Sequence, residues 1–175
     1  MDTETNTSAV GFKNYLTFYH PNAKNSGFAI QFCVEPAAPD RDGSVTFSIA
    51  KQKTVGNQAS LGDDRHPSFD WASKTTVKLS FIETAELLMV LGGQASVLTH
   101  AGKEGLFHNS PSATTSVSFK RSEDPMRPGF LLGVGRTPKA DPNARQYYSF
   151  TFTPAEAIGL RFAIQAQMGL IAFGA

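Results

Sequence analysis

The chain has 175 residues, 41% of them hydrophobic and 18% charged, enough for one sizeable core, and a single domain is the default. A net charge of +1 excludes a polyelectrolyte that gathers nucleic acid by bulk charge, so any such role rests on local lysines and aromatic stacking, which handicaps duplex binding more than single-strand binding. One cysteine, Cys33, excludes an intrachain disulfide and a thiolate zinc cluster, no apolar run approaches ~18 residues, and the polar opening is not a signal peptide; a soluble intracellular protein is expected.

Residues 1–10 lack periodicity and are expected to form a disordered tail, with one domain over residues 11–175. NYLTFYH (14–20) reads as a strand, and 21–27 is turn chemistry. Phe28, Ile30, Phe32 and Val34 alternate with Ala29, Gln31 and Cys33 in a second strand, and Val45, Phe47 and Ile49 mark one face of a third over 44–53. Residues 54–68 are polar and rich in breakers, a long surface loop. A fourth strand over 69–81, bent near Trp71-Ala72-Ser73, carries Val77, Leu79 and Phe81 in alternation and runs into a helix over 84–91. Ser80-Phe81-Ile82-Glu83 is a capping box, and Gly92-Gly93 is the stop.

The second half repeats this plan. Strands are expected over 113–121, 129–136 and 147–152, while 94–100 and 104–108 fit either a short strand or a helix extension. Tyr148, Phe150 and Phe152 alternate with Ser149 and Thr151, and Thr153-Pro154-Ala155-Glu156 then starts a helix with a second box and proline at N1. Ala157, Leu160, Ile164 and Met168 make its apolar face, with Gly169 available as the C-cap. Ala85-Glu86 and Ala155-Glu156 correspond at a shift of 70, so the pattern predicts a duplicated unit of antiparallel sheet followed by helix, an α+β fold.

Laid out this way, the sequence resembles the Whirly family of plant single-stranded-DNA-binding proteins, whose fold kinetoplastid mitochondrial RNA-binding proteins share. The resemblance lies in Gly43-Ser44-Val45-Thr46-Phe47 for a central strand, Phe69-Asp70-Trp71 and residues 74–80 for the strand entering the first helix, and 80–89 for that helix. Leu106-Phe107-His108-Asn109 and 150–168 complete it, over most of residues 12–170. It implies two packed four-stranded sheets, helices at one end that make a homo-oligomer, a tetramer, and single strands lying along the sheets. It also implies a role in DNA maintenance, recombination and repair, or transcription. The family's lysine-rich first strand, linked to assembly beyond the tetramer, is reduced here to Phe12-Lys13-Asn14-Tyr15-Leu16, and no organellar targeting pattern precedes it. The expected compartment is the cytoplasm or nucleoid, or an organellar matrix for a mature form.

A sequence-tolerant single-strand site needs exposed aromatic faces for bases and cations for phosphates. Lys51 and Lys53 share a parity at one strand end, Lys74 and Lys78 share one on another strand, and Lys120-Arg121 close a third. With Trp71, Tyr19 and Tyr147 they form the candidate nucleic-acid-binding set. The alternatives are a solvated, edge-protecting sheet face for the cations and core packing for the rings. Leu160, Ile164 and Met168 are the candidate oligomerisation residues.

Residues 129–135 carry three glycines but no helix follows, which argues against a phosphate loop and for relief of a strand interior or a bulge. Asp63-Asp64-Arg65-His66 lacks the partner cluster of a metal site, and His100 and His108 have no nucleophile beside them. Neither an enzyme, a cofactor nor a metal is therefore expected; the partners are single-stranded DNA or RNA and further copies of the chain. The rival reading is a structural scaffold whose sheets bind protein.

Overall fold

The computed structural model describes residues 15–57, 59 and 62–174, so the expected tail at 1–10 lies outside the described residues. The first sheet is antiparallel and follows the period-2 patterns: β1 (Leu16–His20), β2 (Phe28–Glu35) and β3 (Ser44–Thr54) in sequence. The two-residue β4 (Ser68–Phe69) pairs with the far end of β3, and β5 (Thr75–Leu79) pairs with its middle, Phe47 opposite Val77. The β1–β2 turn is fastened by one buried side chain: Gln52 accepts from the Asn22 and Gly27 amides at 2.8 and 3.1 Å and donates to the Asn22 and Thr54 carbonyls at 3.0 Å.

Helix α1 (Phe81–Leu91) follows β5. The undecided stretch after it resolves into strand: β6 (Thr99–His100) and β7 (Lys103–Glu104) make a small hairpin, and β8 (Leu106–Asn109) opens the second sheet. That sheet continues with β9 (Ala113–Arg121), β10 (Phe130–Pro138) and β11 (Gln146–Phe152), antiparallel in the order β11-β10-β9-β8, and α2 (Pro154–Phe173) follows. Among the described residues no helix is long and apolar enough to cross a membrane.

The inner faces meet in one core. Ile30, Phe47, Ile49 and Leu79 of the first sheet and Val117, Leu132, Val134 and Phe150 of the second are buried with Leu87 and Val90 of α1 and Leu160 and Ile164 of α2. Phe152 joins the layers, with ring centroids 6.2 Å from Phe32 and 6.1 Å from Phe119. Each helix packs on both sheets, α1 on β3, β5 and β9 and α2 on β2, β3 and β11, and the two helices pack on each other.

Both capping boxes are formed in full. The Glu83 amide donates to Ser80 Oγ and the Ser80 amide to Glu83; the Glu156 amide donates to Thr153 Oγ1 and the Thr153 amide to Glu156. These caps stand 73 positions apart, so the halves align at 73 rather than 70, and Ala85-Glu86 has no counterpart in Ala155-Glu156. Ser80→Ala and Thr153→Ala should each cost about 1 kcal/mol of unfolding free energy, because each orphans a first-turn amide. Denaturant midpoints unmoved by either substitution would show that the boxes carry no weight.

Two boundaries differ from expectation. Phe81 is the first residue of α1 and is exposed, since the box at Ser80 ends the strand's alternation at Leu79. Gly169 lies inside α2, which runs on to Phe173 because Ile171 returns to the core one turn later; Gly174 caps it instead.

Candidate nucleic-acid interface

The second carboxylate oxygen of each capping glutamate meets a histidine from the other half of the chain. Glu83 Oε1 lies 2.7 Å from His108 Nε2 on β8, and Glu156 Oε1 lies 2.7 Å from His20 Nε2 on β1. Burial pushes both carboxyls up, but the cap amide, the histidine and the cap hydroxyl together outweigh it, and both are held below the ordinary value of 4.5. A carboxyl whose folded-state pKa is depressed stabilises the fold above its unfolded value, and that contribution is lost as pH falls through the folded value. Between pH 6 and pH 3 the thermal midpoint of the wild type should therefore fall more steeply than that of Glu83→Gln/Glu156→Gln. Parallel curves would remove these carboxylates from the acid response.

His108 also lines an open groove of about 370 Å³ between the β5 edge of the first sheet and the second sheet, together with Lys74, Thr76, Lys78, Ser110, Thr115 and Arg136. Lys74 lies just before β5 and Lys78 on its outward side, because Thr75, Val77 and Leu79 take the core side. Arg136 reaches the groove from β10. Among the described residues Lys74, Lys78 and Arg136 have no acidic partner, so three cations face one channel uncompensated. Such an arrangement suits a chain of phosphates.

Exposed aromatic rings stand on the outer faces of both sheets. On the first sheet Tyr15 and Tyr19 are exposed, and Tyr19 leans on Phe69 with centroids 5.5 Å apart. Trp71, in the bend between β4 and β5, is half-buried. On the second sheet Tyr147 of β11 is 59% exposed and Phe107 of β8 is 65% exposed. Tyr148, next to Tyr147, points inward, its hydroxyl accepting from Thr75 Oγ1 at 3.0 Å and donating to Gln146 at 2.9 Å.

The remaining candidates divide. Lys120 stands on the outer face of the second sheet beside Leu131, whereas Arg121 takes the opposite parity and lines a depression by the helix ends with Gly92 and Ile158. Lys51 and Lys53 are exposed but share the parity of Phe47 and Ile49, and the Lys51 ammonium sits 5.3 Å from the Tyr148 ring centroid. They therefore lie on the other side of the sheet from Lys78. Arg136 and Phe107 were missed as candidates. Phe107 has outward parity on β8, which was the available signal, whereas Arg136 has the core-side parity of Leu132 and Val134 and enters the groove only because it stands near the end of β10.

Leu160 and Ile164 are 0% and 2% exposed and Met168 is half-buried against the same cluster, so this face of α2 is spent on the protomer's own core. Among the described residues the large apolar side chains left outward on the helices are Ile158, Phe162 and Phe173 on α2 and Phe81, Ile82 and Met89 on α1.

Sheets, packed helices and lined groove together give the comparison with solved structures its meaning. The crystal structure of WHY1 from Arabidopsis thaliana superposes with a TM-score of 0.66 at 15% identity, covering 93% of this chain and 86% of that one. The chain has a Whirly-like fold. WHY3 from the same plant gives 0.65 at 15% identity, over 93% and 90% of the two chains. MRP1/MRP2 from Trypanosoma brucei gives 0.63 at 15% identity, over 93% and 95%. No family model and no curated protein matches the sequence, so the Whirly-like assignment is one of architecture. Within it, the groove runs beside the edge strand β5 of the first Whirly-like sheet.

Proposed function

We propose that this protein binds single-stranded nucleic acid with little sequence preference, through contact and not catalysis, as a homo-oligomer, and serves DNA maintenance, recombination and repair, or transcription. The supporting observation is the groove: Lys74, Lys78 and Arg136, none with an acidic partner among the described residues, face one channel, and exposed rings stand elsewhere on the outer sheet faces. Cations without partners supply phosphate contacts, and rings with free faces stack any base. A groove of this kind suits a flexible single strand, whose bases are available to the rings; a duplex keeps its bases stacked on each other. For the oligomer, a tetramer, the support is the apolar side chains left outward on α1 and α2, which monomers seldom leave bare.

The test is a titration with oligo-dT and with a duplex of equal length, followed by the fluorescence of Trp71, the sole tryptophan. The emission should change on single-strand addition at low salt, with markedly weaker response to duplex. Equal binding of both, or of neither, would remove this reading and leave the structural scaffold whose sheets bind protein.

A further inference from the structure

On the outer face of the second sheet two side chains from the start of β11 lie down across β10 where β10 has glycine. A β-carbon at Gly133 would stand 2.6 Å from the Tyr147 hydroxyl oxygen, 3.4 Å from its Cζ and 2.6 Å from Ser118 Oγ. One at Gly135 would stand 2.7 Å from Ser116 Oγ and 3.6 Å from a terminal guanidinium nitrogen of Arg145. The strand register puts Tyr147 opposite Gly135, so the phenol leans diagonally onto Gly133, and Arg145, two residues earlier, leans the same way onto Gly135. Tyr147 is nevertheless 59% exposed, so the hydroxyl end of the ring reaches over Gly133 while much of the side chain stays open to solvent. Among the described residues neither the Arg145 guanidinium nor the Tyr147 hydroxyl has a hydrogen-bond or ionic partner.

We infer that Tyr147 and Arg145 form one nucleotide subsite, a base stacking on the solvent face of Tyr147 and its neighbouring phosphate meeting Arg145, with Gly133 and Gly135 as the positioning residues. Residues two apart on a strand are separated by about 6.6 Å, which lets one ring and one cation serve adjacent parts of a single nucleotide. The glycines leave the room into which the end of the ring reaches. With any β-carbon at 133 the phenol has to stand away from the sheet, because Ser118 can rotate aside but the Tyr147 ring cannot stay where it is. A ring held over Gly133 before binding has less side-chain freedom left to lose, which is where such a subsite gains over a mobile tyrosine. This inference rests on the single-strand reading and deepens it.

The experiment measures Gly133→Ala, Tyr147→Ala, their double variant and Arg145→Gln on oligo-dT and on an abasic deoxyribose-phosphate strand of the same length. On oligo-dT, Tyr147→Ala should weaken binding between about 5-fold and 100-fold, the range of one base–aromatic contact, and Gly133→Ala should weaken it by a large part of that. On the abasic strand neither should matter, and in the Tyr147→Ala background Gly133→Ala should add nothing. Arg145→Gln should instead lower the log–log salt slope by about 0.7 on both strands. A Gly133→Ala loss that persists on the abasic strand, or that adds to that of Tyr147→Ala, would overturn the positioning role. Should Gly133→Ala fail to fold, Tyr147→Ala and Arg145→Gln still decide, since both side chains are exposed: oligo-dT affinity and salt slope unchanged in both would overturn the subsite. If the wild type binds oligo-dT while those two variants match it, only this subsite falls; if the wild type binds no single strand, the functional reading falls with it.

Discussion

Ile164→Asp is expected to unfold the protomer outright. Ile164 is 2% exposed and packed in the shared core, so the substitution removes a buried aliphatic side chain, worth about 2–5 kcal/mol by itself, and puts an unpaired carboxylate in its place. Together these match or exceed the total stability of about 5–15 kcal/mol typical of a domain. Far-ultraviolet circular dichroism at 25 °C should show loss of helix, and a folded variant would show that α2 does not seat as described. Phe162→Asp is the informative contrast. Its ring is 61% exposed on the outward side of α2, so the protomer should keep its melting temperature while light scattering reports a smaller particle. Wild-type protein that is monomeric at micromolar concentration would end the oligomer proposal.

The second large effect concerns binding. Lys74 and Lys78 both face the groove, and each phosphate neutralised on a single strand contributes about 0.7 to the slope of log affinity against log salt. Lys74→Gln/Lys78→Gln should therefore lower the slope by about 1.4 and weaken binding most at low salt. Trp71→Ala should lower affinity with little change of slope, because a lost stacking contact releases no counterions. Lys51→Gln/Lys53→Gln, on the opposite parity of β3, should change the slope less than the Lys74 and Lys78 pair does. Equal slopes for both pairs would mean that the strand follows another path.

Local signals in the sequence carried most of the fold. Strands with one buried face display their period directly, as at Phe28, Ile30 and Phe32, and the two boxes at Ser80 and Thr153 mark helix starts through side-chain chemistry confined to four residues. Helix ends were harder, because Gly169 has the composition of a stop while the decision belongs to Ile171, whose burial is a tertiary fact. The same limit explains the helix faces. Periodicity shows that Leu160, Ile164 and Met168 form an apolar side but not whether the protomer or a neighbour covers it. For the interface, parity grouped Lys74 with Lys78 correctly, yet whether a strand's outward face joins a groove depends on which sheet edge lies opposite. Arg136 enters the groove from a strand 58 positions after Lys78, a proximity that no local pattern encodes.

The crossed histidine contacts at the two capping boxes bear on how such a duplicated chain can come apart. The glutamate that starts α1 is held by His108 of the second half, and the one that starts α2 is held by His20 of the first, while each helix packs on both sheets. Neither half contains the partners that finish its own helix. A fragment ending before β8 would lack both His108 and β9, part of the surface on which α1 packs, so the two halves complete one shared core. The two like-built halves are tied together by exchanged contacts, so a single cooperative unfolding transition is expected of the chain.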